Sequence, residues 1–244
     1  ARGLRRTPFY HALKAKGAVY TEMQGWERPS WFAPEGVAPV HDYAFGRPSW
    51  FDHAQTEQKS AREGVVMIDY SMLGKHMVEG KDAETFLQRV STNDVSIADG
   101  RVIYSLILND RGGIEGDVTI ARHDKTRFMV MSAISHTRRN RDHFQQAILA
   151  SEDVVIRDVT SAYAVLALSG PLSRAVLETL VDISLSDKDF PPYSLQQFYI
   201  GHAPVFAQRL SFTGEMGWEI FITPDFAEYV FDQLYQAGQA YDLR

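Results

Sequence analysis

Leu106-Ile-Leu-Asn-Asp-Arg-Gly-Gly-Ile-Glu-Gly-Asp-Val-Thr-Ile-Ala-Arg122 reads as a strand, a tight glycine turn and a second strand. The run into it, Arg101-Val-Ile-Tyr-Ser-Leu-Ile-Leu108, is apolar and β-branched, the composition of a buried strand. Asn109-Asp110-Arg111-Gly112-Gly113 supplies residues that tolerate the positive φ of a hairpin connection. On the return strand Ile114, Val118 and Ile120 are expected to be buried. Asp117 interrupts that apolar pattern. A carboxylate on an apolar hairpin costs free energy unless water or a partner solvates it. Asp117 is therefore either a surface residue at a strand edge or a site residue. Most strand aspartates simply face water, and the hairpin alone leaves both readings open.

Outward from the hairpin, helices and strands alternate without a steady rhythm. Strands are predicted over residues 65–71, 74–80 and 127–132. Between the second and the hairpin lies a helix capped by Asp82, with Ala83, Phe86, Leu87 and Val90 on its apolar face. A helix over 135–149 carries Arg138, Arg139 and Arg141, which read as a solvated face because no aromatic residues interleave with them. Strands follow over 154–159 and 162–169, then a helix over 172–181 with Ala175, Val176, Leu177 and Leu180 inward. Strands over 204–212 and 218–222 flank Thr213-Gly-Glu-Met-Gly217. A last helix over 225–237 buries Phe226, Val230, Phe231 and Leu234, with Asp225 as its expected N-cap.

The first quarter is rich in turns and aromatics: a short helix ending at Gly17, a strand over 18–24, and a polar helix over 54–62 ended by Gly64. Trp26, Trp31 and Trp50 fall in this quarter and read as its miniature core rather than a ligand cage. A strand–helix–strand–strand pattern recurs around 74–132 and 162–222. The order predicts an α+β fold of two ferredoxin-like (plait) subdomains.

Composition narrows the function. The 244 residues carry a net charge of −6, which argues against a general nucleic-acid surface. The absence of cysteine removes disulfides, thiolate metal sites and a cysteine nucleophile together. No apolar run approaches the roughly 18 residues of a membrane span, and the basic start, Ala1-Arg-Gly-Leu-Arg-Arg6, lacks the apolar stretch of a secretory signal. Gly112-Gly113 opens no helix, so it is not a phosphate loop. Ser169-Gly170-Pro171 lacks the flanking glycines of a nucleophile elbow. The eight histidines show no metal spacing, so no metal site is expected. What remains is a pair of carboxylates in glycine-rich turn contexts, Asp117 and Glu215. One carboxylate can accept two parallel N–H bonds from an amidine-like edge such as a pterin or purine presents. Another can hold or relieve a proton at a reacting amine. Both can equally decorate turns.

The chain resembles the folate-binding family of the glycine cleavage T-protein (aminomethyltransferase), closest to the branch fused to flavin-dependent dimethylglycine and sarcosine dehydrogenases. The resemblance is carried by Thr7-Pro-Phe-Tyr10, Gly25-Trp-Glu-Arg-Pro-Ser-Trp-Phe32, Ile68-Asp-Tyr-Ser-Met-Leu-Gly-Lys75 and Gly80-Lys-Asp-Ala83. It continues through Gly100-Arg-Val-Ile-Tyr104, Asn109-Asp-Arg-Gly-Gly-Ile-Glu-Gly-Asp117, Leu168-Ser-Gly-Pro-Leu-Ser-Arg174 and Arg209-Leu-Ser-Phe-Thr-Gly-Glu-Met-Gly-Trp-Glu219. These stretches follow the family's order across nearly the whole chain.

The resemblance implies a tetrahydrofolate site. In it Asp117 is the catalytic carboxylate near the folate's reacting nitrogens, Glu215 pairs with the pterin edge, and Tyr104 lines the pocket. It implies discontinuous folate-binding subdomain 1 over residues 1–70 plus 156–244, and inserted subdomain 2 over 71–155 with the Asp117 hairpin. It also implies that the family's C-terminal β-barrel domain, with an arginine that helps bind folate, lies past Arg244. FAD belongs to an upstream domain, which oxidises an N-methyl amine to an iminium. Tetrahydrofolate then captures the one-carbon unit as 5,10-methylene-tetrahydrofolate. The partners are therefore folate, the one-carbon unit of an N-methyl amine, and a flavin domain in cis or in trans, with neither nucleic acid nor membrane. The compartment implied is the cytoplasm in a bacterium, or the mitochondrial matrix as in eukaryotic relatives, and not the secreted space. Alternatives within the family are a stand-alone aminomethyltransferase and a tetrahydrofolate-dependent demethylase. Another class is a non-catalytic folate-binding or channelling fragment. The iron–sulfur-assembly folate proteins are disfavoured, because Phe212-Thr-Gly-Glu215 stands where they carry a cysteine motif. One departure is specific: where the T-protein has two acidic residues before its apolar strand, this chain has Gly116-Asp117.

Overall fold

The computed structural model describes residues 2–244. In chain order the elements are α1 (Tyr10–Ala15), β1 (Ala18–Met23), β2 (Trp26–Phe32), α2 (Phe51–Glu63), β3 (Val66–Asp69), β4 (Gly74–Glu79) and α3 (Ala83–Val90). They continue as β5 (Val102–Leu108), β6 (Ile114–Asp124), β7 (Arg127–Ser132), α4 (Thr137–Ala147), β8 (Val155–Asp158), β9 (Ala164–Ser169) and α5 (Ser173–Glu178). Last come β10 (Leu195–Ile200), β11 (Ala203–Gln208), β12 (Gly217–Ile222) and α6 (Ala227–Gly238).

The chain forms two compact units. One spans Leu73–Ala162 with the short segment Phe190–Gln196, and the other takes the remainder. Because β8 pairs with β4, it stands in the sheet of the inserted unit.

The inserted unit has a five-stranded sheet in the order β5-β6-β7-β4-β8, antiparallel throughout. Without β5 this is a plait: strand, helix, two strands, helix, strand, with the outer strand β8 beside the first. Its core is Val78, Phe86, Leu87, Ile107, Val118, Ile120, Phe128, Val130 and Phe144, all at most 2% exposed. Alternation along β5, β6 and β7 sends these residues to one face, where α3 and α4 cover them. Ile114 departs from the expected pattern. The register shifts between Ile107 and Leu108, which throws Ile114 out of the inward alternation of Val118 and Ile120, and it is exposed.

The second unit repeats the arrangement with one permutation. Its sheet runs β10-β11-β12-β9-β3, so β3, from early in the chain, occupies the place that β8 holds in the inserted unit. Every residue of β9 and β12 is buried, as expected for strands covered on both faces. Val176 and Leu177 of α5 and Val230, Phe231 and Leu234 of α6 are fully buried or nearly so. A separate hairpin, β1 with β2, closes a small core of Val19, Trp31 and Ala33 with Trp50 packed against it. The Trp31 ring stacks on His53 at 5.5 Å, and the Arg5 guanidinium sits 4.2 Å above Trp26. These tryptophans therefore make structural contacts.

Two caps differ from expectation. Asp82 stands at the N-cap position of α3, yet its carboxylate accepts the Asp153 N–H at 2.8 Å instead of an amide of the helix. Asp225 lies in a 3₁₀ turn, Pro224–Phe226, and Phe226 takes the N-cap position of α6. β2 and β10 are strands in stretches that the sequence pattern leaves as loop. Among the described residues no helix is long and apolar enough to cross a membrane.

Candidate functional site

The β5–β6 hairpin is organised by Asn109. Its Oδ1 accepts the N–H groups of Arg111 and Gly113, both at 3.0 Å, and its Nδ2 donates to Glu115 at 2.7 Å. Gly112, at φ +77°, takes the left-handed position that the turn requires. Glu115 also pairs with Arg139 of α4, which ties the strand start to the helix. An Asn109→Ala variant loses three side-chain bonds at a partly solvated turn. It is expected to lower stability by about 1–2 kcal/mol, read from the denaturant midpoint; an unchanged midpoint would show that the glycines alone hold the turn.

Directly paired residues of an antiparallel ladder share a face. Leu106 pairs with Asp117 and Tyr104 with Thr119, so these four lie on the face opposite the core cluster. Asp117 is exposed, and among the described residues no hydrogen bond or ion pair engages its carboxylate. Tyr104 is 53% exposed. The Tyr104–Thr119 row continues across the sheet through Met131 of β7 to Lys75 of β4. Lys75 is fully buried and its Nζ donates to the Leu73 carbonyl at 2.9 Å. Next to Asp117, Gly116 is held small by packing: a Cβ there would lie 2.7 Å from Oδ1 of buried Asn140. A side chain at Gly116 would therefore press on the Asn140 amide, which must shift to admit it, a steric reason for the single carboxylate.

Glu215 belongs to the other unit, in the turn between β11 and β12, with Gly214 at φ +89° before it. The turn base is tight, since a Cβ on Gly217 would come within 2.7 Å of the Ser169 hydroxyl and 2.8 Å of the Leu168 carbonyl. The Glu215 side chain is only 9% exposed, and its Oε1 accepts from Nη1 of Arg62 at 2.7 Å. Arg62 comes from the last turn of α2. Oε2 of Glu215 is buried and, among the described residues, accepts no hydrogen bond. The nearby Thr213 hydroxyl, the residue's own backbone N–H and Arg62 together hold this carboxyl below the usual carboxylate range. It is thus an ionised, nearly buried carboxylate with one oxygen unclaimed. Buried charged acceptors without donors are rare, because each forfeits hydration without replacement.

Asp117 and Tyr104 therefore share one face of the inserted unit, and Glu215 stands in the other unit. Arg62 was not singled out by the sequence, where it lies 153 positions from Glu215. Its only local signal is a cation in the last turn of a helix, which the helix dipole explains equally well. Among the described residues no cluster of three or more His, Asp or Glu side chains is placed to hold a metal.

The model of the GCVT N-terminal domain matches residues 9–244. 4-Methylaminobutanoate oxidase (formaldehyde-forming) of Paenarthrobacter nicotinovorans is 36% identical over 243 residues, covering 100% of this chain and 29% of that protein. Human mitochondrial sarcosine dehydrogenase is 29% identical over 282 residues, covering 99% of this chain and 30% of that protein. The chain thus spans less than a third of the length of these relatives. The crystal structure of the glycine cleavage system aminomethyltransferase T from Bartonella henselae superposes with a TM-score of 0.76 at 23% identity, covering 95% of this chain and 57% of that one. At that identity the superposition establishes the fold.

Proposed function

The chain belongs to the GCVT N-terminal domain family, and from that membership we propose that it is the tetrahydrofolate-binding, one-carbon transfer module of a dimethylglycine/sarcosine dehydrogenase-like oxidative demethylase. The observation that carries the reading is Glu215: an ionised, nearly buried carboxylate in a glycine-opened turn whose Oε2, among the described residues, accepts no hydrogen bond. Such a group suits the N–H edge of a pterin, which offers two parallel donors to one carboxylate. Two folate nitrogens would bond in turn to the iminium carbon while its bond to the amine breaks, giving 5,10-methylene-tetrahydrofolate, the demethylated amine and one proton.

The protein's own residues do the positioning. Glu215 fixes the register of the pterin. Asp117, exposed and uncommitted on its face, holds the proton released at the reacting nitrogen. Tyr104, on the same face, walls the pocket. Neither carboxylate bonds to carbon in this scheme; bringing two reactants into alignment is a large part of such catalysis. In this reading the two compact units are folate-binding subdomains 1 and 2, the latter carrying the Asp117 hairpin. The amine is oxidised by a flavin-dependent domain in the same polypeptide or a partner chain, which makes the electron-transfer step external to this module.

Calorimetric titration of the full-length protein with 5-formyltetrahydrofolate tests the site. Glu215→Ala is expected to weaken binding by roughly 10- to 100-fold, the loss of charge-assisted hydrogen bonds worth about 1.5–3 kcal/mol. Unchanged affinity would mean that the pterin sits elsewhere.

A further inference from the structure

Arg62, in the last turn of α2, makes an ion pair with Glu215. It is 74% exposed at the side chain, and its partner Glu215 is 9% exposed. An ion pair with so solvated a cation contributes little to folding, because water already satisfies the guanidinium and the long side chain loses freedom in being held. Yet the contact is specific: Nη1 meets Oε1 at 2.7 Å, while Oε2 is buried and, among the described residues, accepts no hydrogen bond. A glutamate on an open turn has three rotatable bonds and would gain hydration by turning outward. Arg62 opposes that motion, and Oε1 keeps a second lone pair for another donor.

We propose that Arg62 is a positioning residue of the ligand site: by holding Oε1 of Glu215 it fixes the carboxylate so that Oε2 remains the acceptor for an N–H of the bound heterocycle. The inference rests on the reading of Glu215 as the pterin-binding carboxylate and adds the group that orients it. Two consequences separate it from a stabilising surface pair. Removing Arg62 should leave thermal unfolding unchanged but weaken the ligand. It should also alter the pH dependence of binding. Arg62 supplies the positive charge acting on this carboxyl, alongside the Thr213 hydroxyl and the residue's own backbone N–H. Without Arg62 the carboxyl protonates at higher pH, so affinity that needs the carboxylate is lost earlier as pH falls.

The test is titration of the full-length protein with 5-formyltetrahydrofolate between about pH 4 and pH 8, a range that brackets carboxylate titration. The variants are Arg62→Gln, Arg62→Lys and Glu215→Ala, each with a melting curve. Arg62→Gln is expected to weaken binding about tenfold at neutral pH and to shift the half-binding pH upward. Arg62→Lys, which keeps the charge, is expected to recover part of the affinity and return the half-binding pH toward that of the unaltered protein. The proposal is overturned if Glu215→Ala weakens binding but Arg62→Gln has unaltered affinity and pH midpoint. It is equally overturned if Arg62→Gln binds more tightly, since Arg62 would then compete with the ligand. If Glu215→Ala has no effect, the assignment of Glu215 itself fails.

Discussion

Under the proposed function, Asp117→Asn in the full-length protein is expected to reduce formation of 5,10-methylene-tetrahydrofolate by about 100-fold or more, the usual contribution of a positioned acid–base group. The fold should be untouched. Asp117 is exposed and, among the described residues, makes no hydrogen bond or ion pair that the amide would break, and surface changes of that kind alter stability by only about 0.5 kcal/mol. Asparagine keeps the shape and the acceptor oxygen but cannot hold a proton, so folate affinity should change far less than rate. The product ratio provides an internal control. An iminium that is not captured is hydrolysed, consuming water and releasing formaldehyde and the demethylated amine. The variant should therefore consume the amine normally while formaldehyde replaces methylene-tetrahydrofolate. If product yield and folate affinity both match those of the unaltered protein, Asp117 is a surface aspartate after all.

The largest stability effect is expected in the core of the inserted unit. Phe86 is fully buried among Leu87, Val118, Ile120 and Phe144, and its ring meets that of Phe144 edge-on at 6.2 Å. Phe86→Ala removes the buried ring, forfeits the aromatic pair and leaves a cavity that close-packed neighbours refill only in part. A loss of about 3–5 kcal/mol follows from large-to-small core substitutions of this kind, which for most domains is a large share of the total. Chemical denaturation should show the midpoint falling with an unchanged slope. A loss below about 1 kcal/mol would mean that α3 is held by something other than this cluster.

Where local chemistry and tertiary structure agreed, the sequence was legible. The Leu106–Arg122 hairpin combines β-branched strands with Asn109 and Gly112, and Asn109 indeed gathers the turn amides. Three of the four positions marked inward on α3, Ala83, Phe86 and Leu87, are fully buried. Where they disagreed, the reading failed for physical reasons. β2 carries Glu27, Arg28, Pro29 and Ser30, a composition that argues against a strand, but in a two-stranded sheet Pro29 need not donate to a further ladder. β10 follows Pro191-Pro192 and lies at a sheet edge, where an apolar alternation is weakest. Asp82 was an acceptable cap by its position, yet a backbone amide from 71 residues away claims its carboxylate. For the site, the sequence offers Asp117 and Glu215 as odd residues in glycine-rich turns and no more. The ion pair that singles out Glu215 joins α2 to a turn near the end of the chain, and nothing in either stretch signals the other.

The permuted sheet has a kinetic corollary. β3 must find β9 across the whole of the inserted segment, and closing a long loop is entropically unfavourable before any contact rewards it. An insert that folds first shortens that search. β4 and β8, its first and last strands, are direct neighbours, with the Val159 N–H bonded to the Lys75 carbonyl at 2.9 Å. Once they pair, the chain leaving β3 and the chain entering β9 start from adjacent points, and the long loop behaves as a short one. On a ribosome the same order holds, since the insert's strands and helices, Phe190–Gln196 apart, are all synthesised before β9 emerges. A destabilised insert would then delay the second sheet as well, and leave the unpaired edge of β3 exposed for longer to other chains.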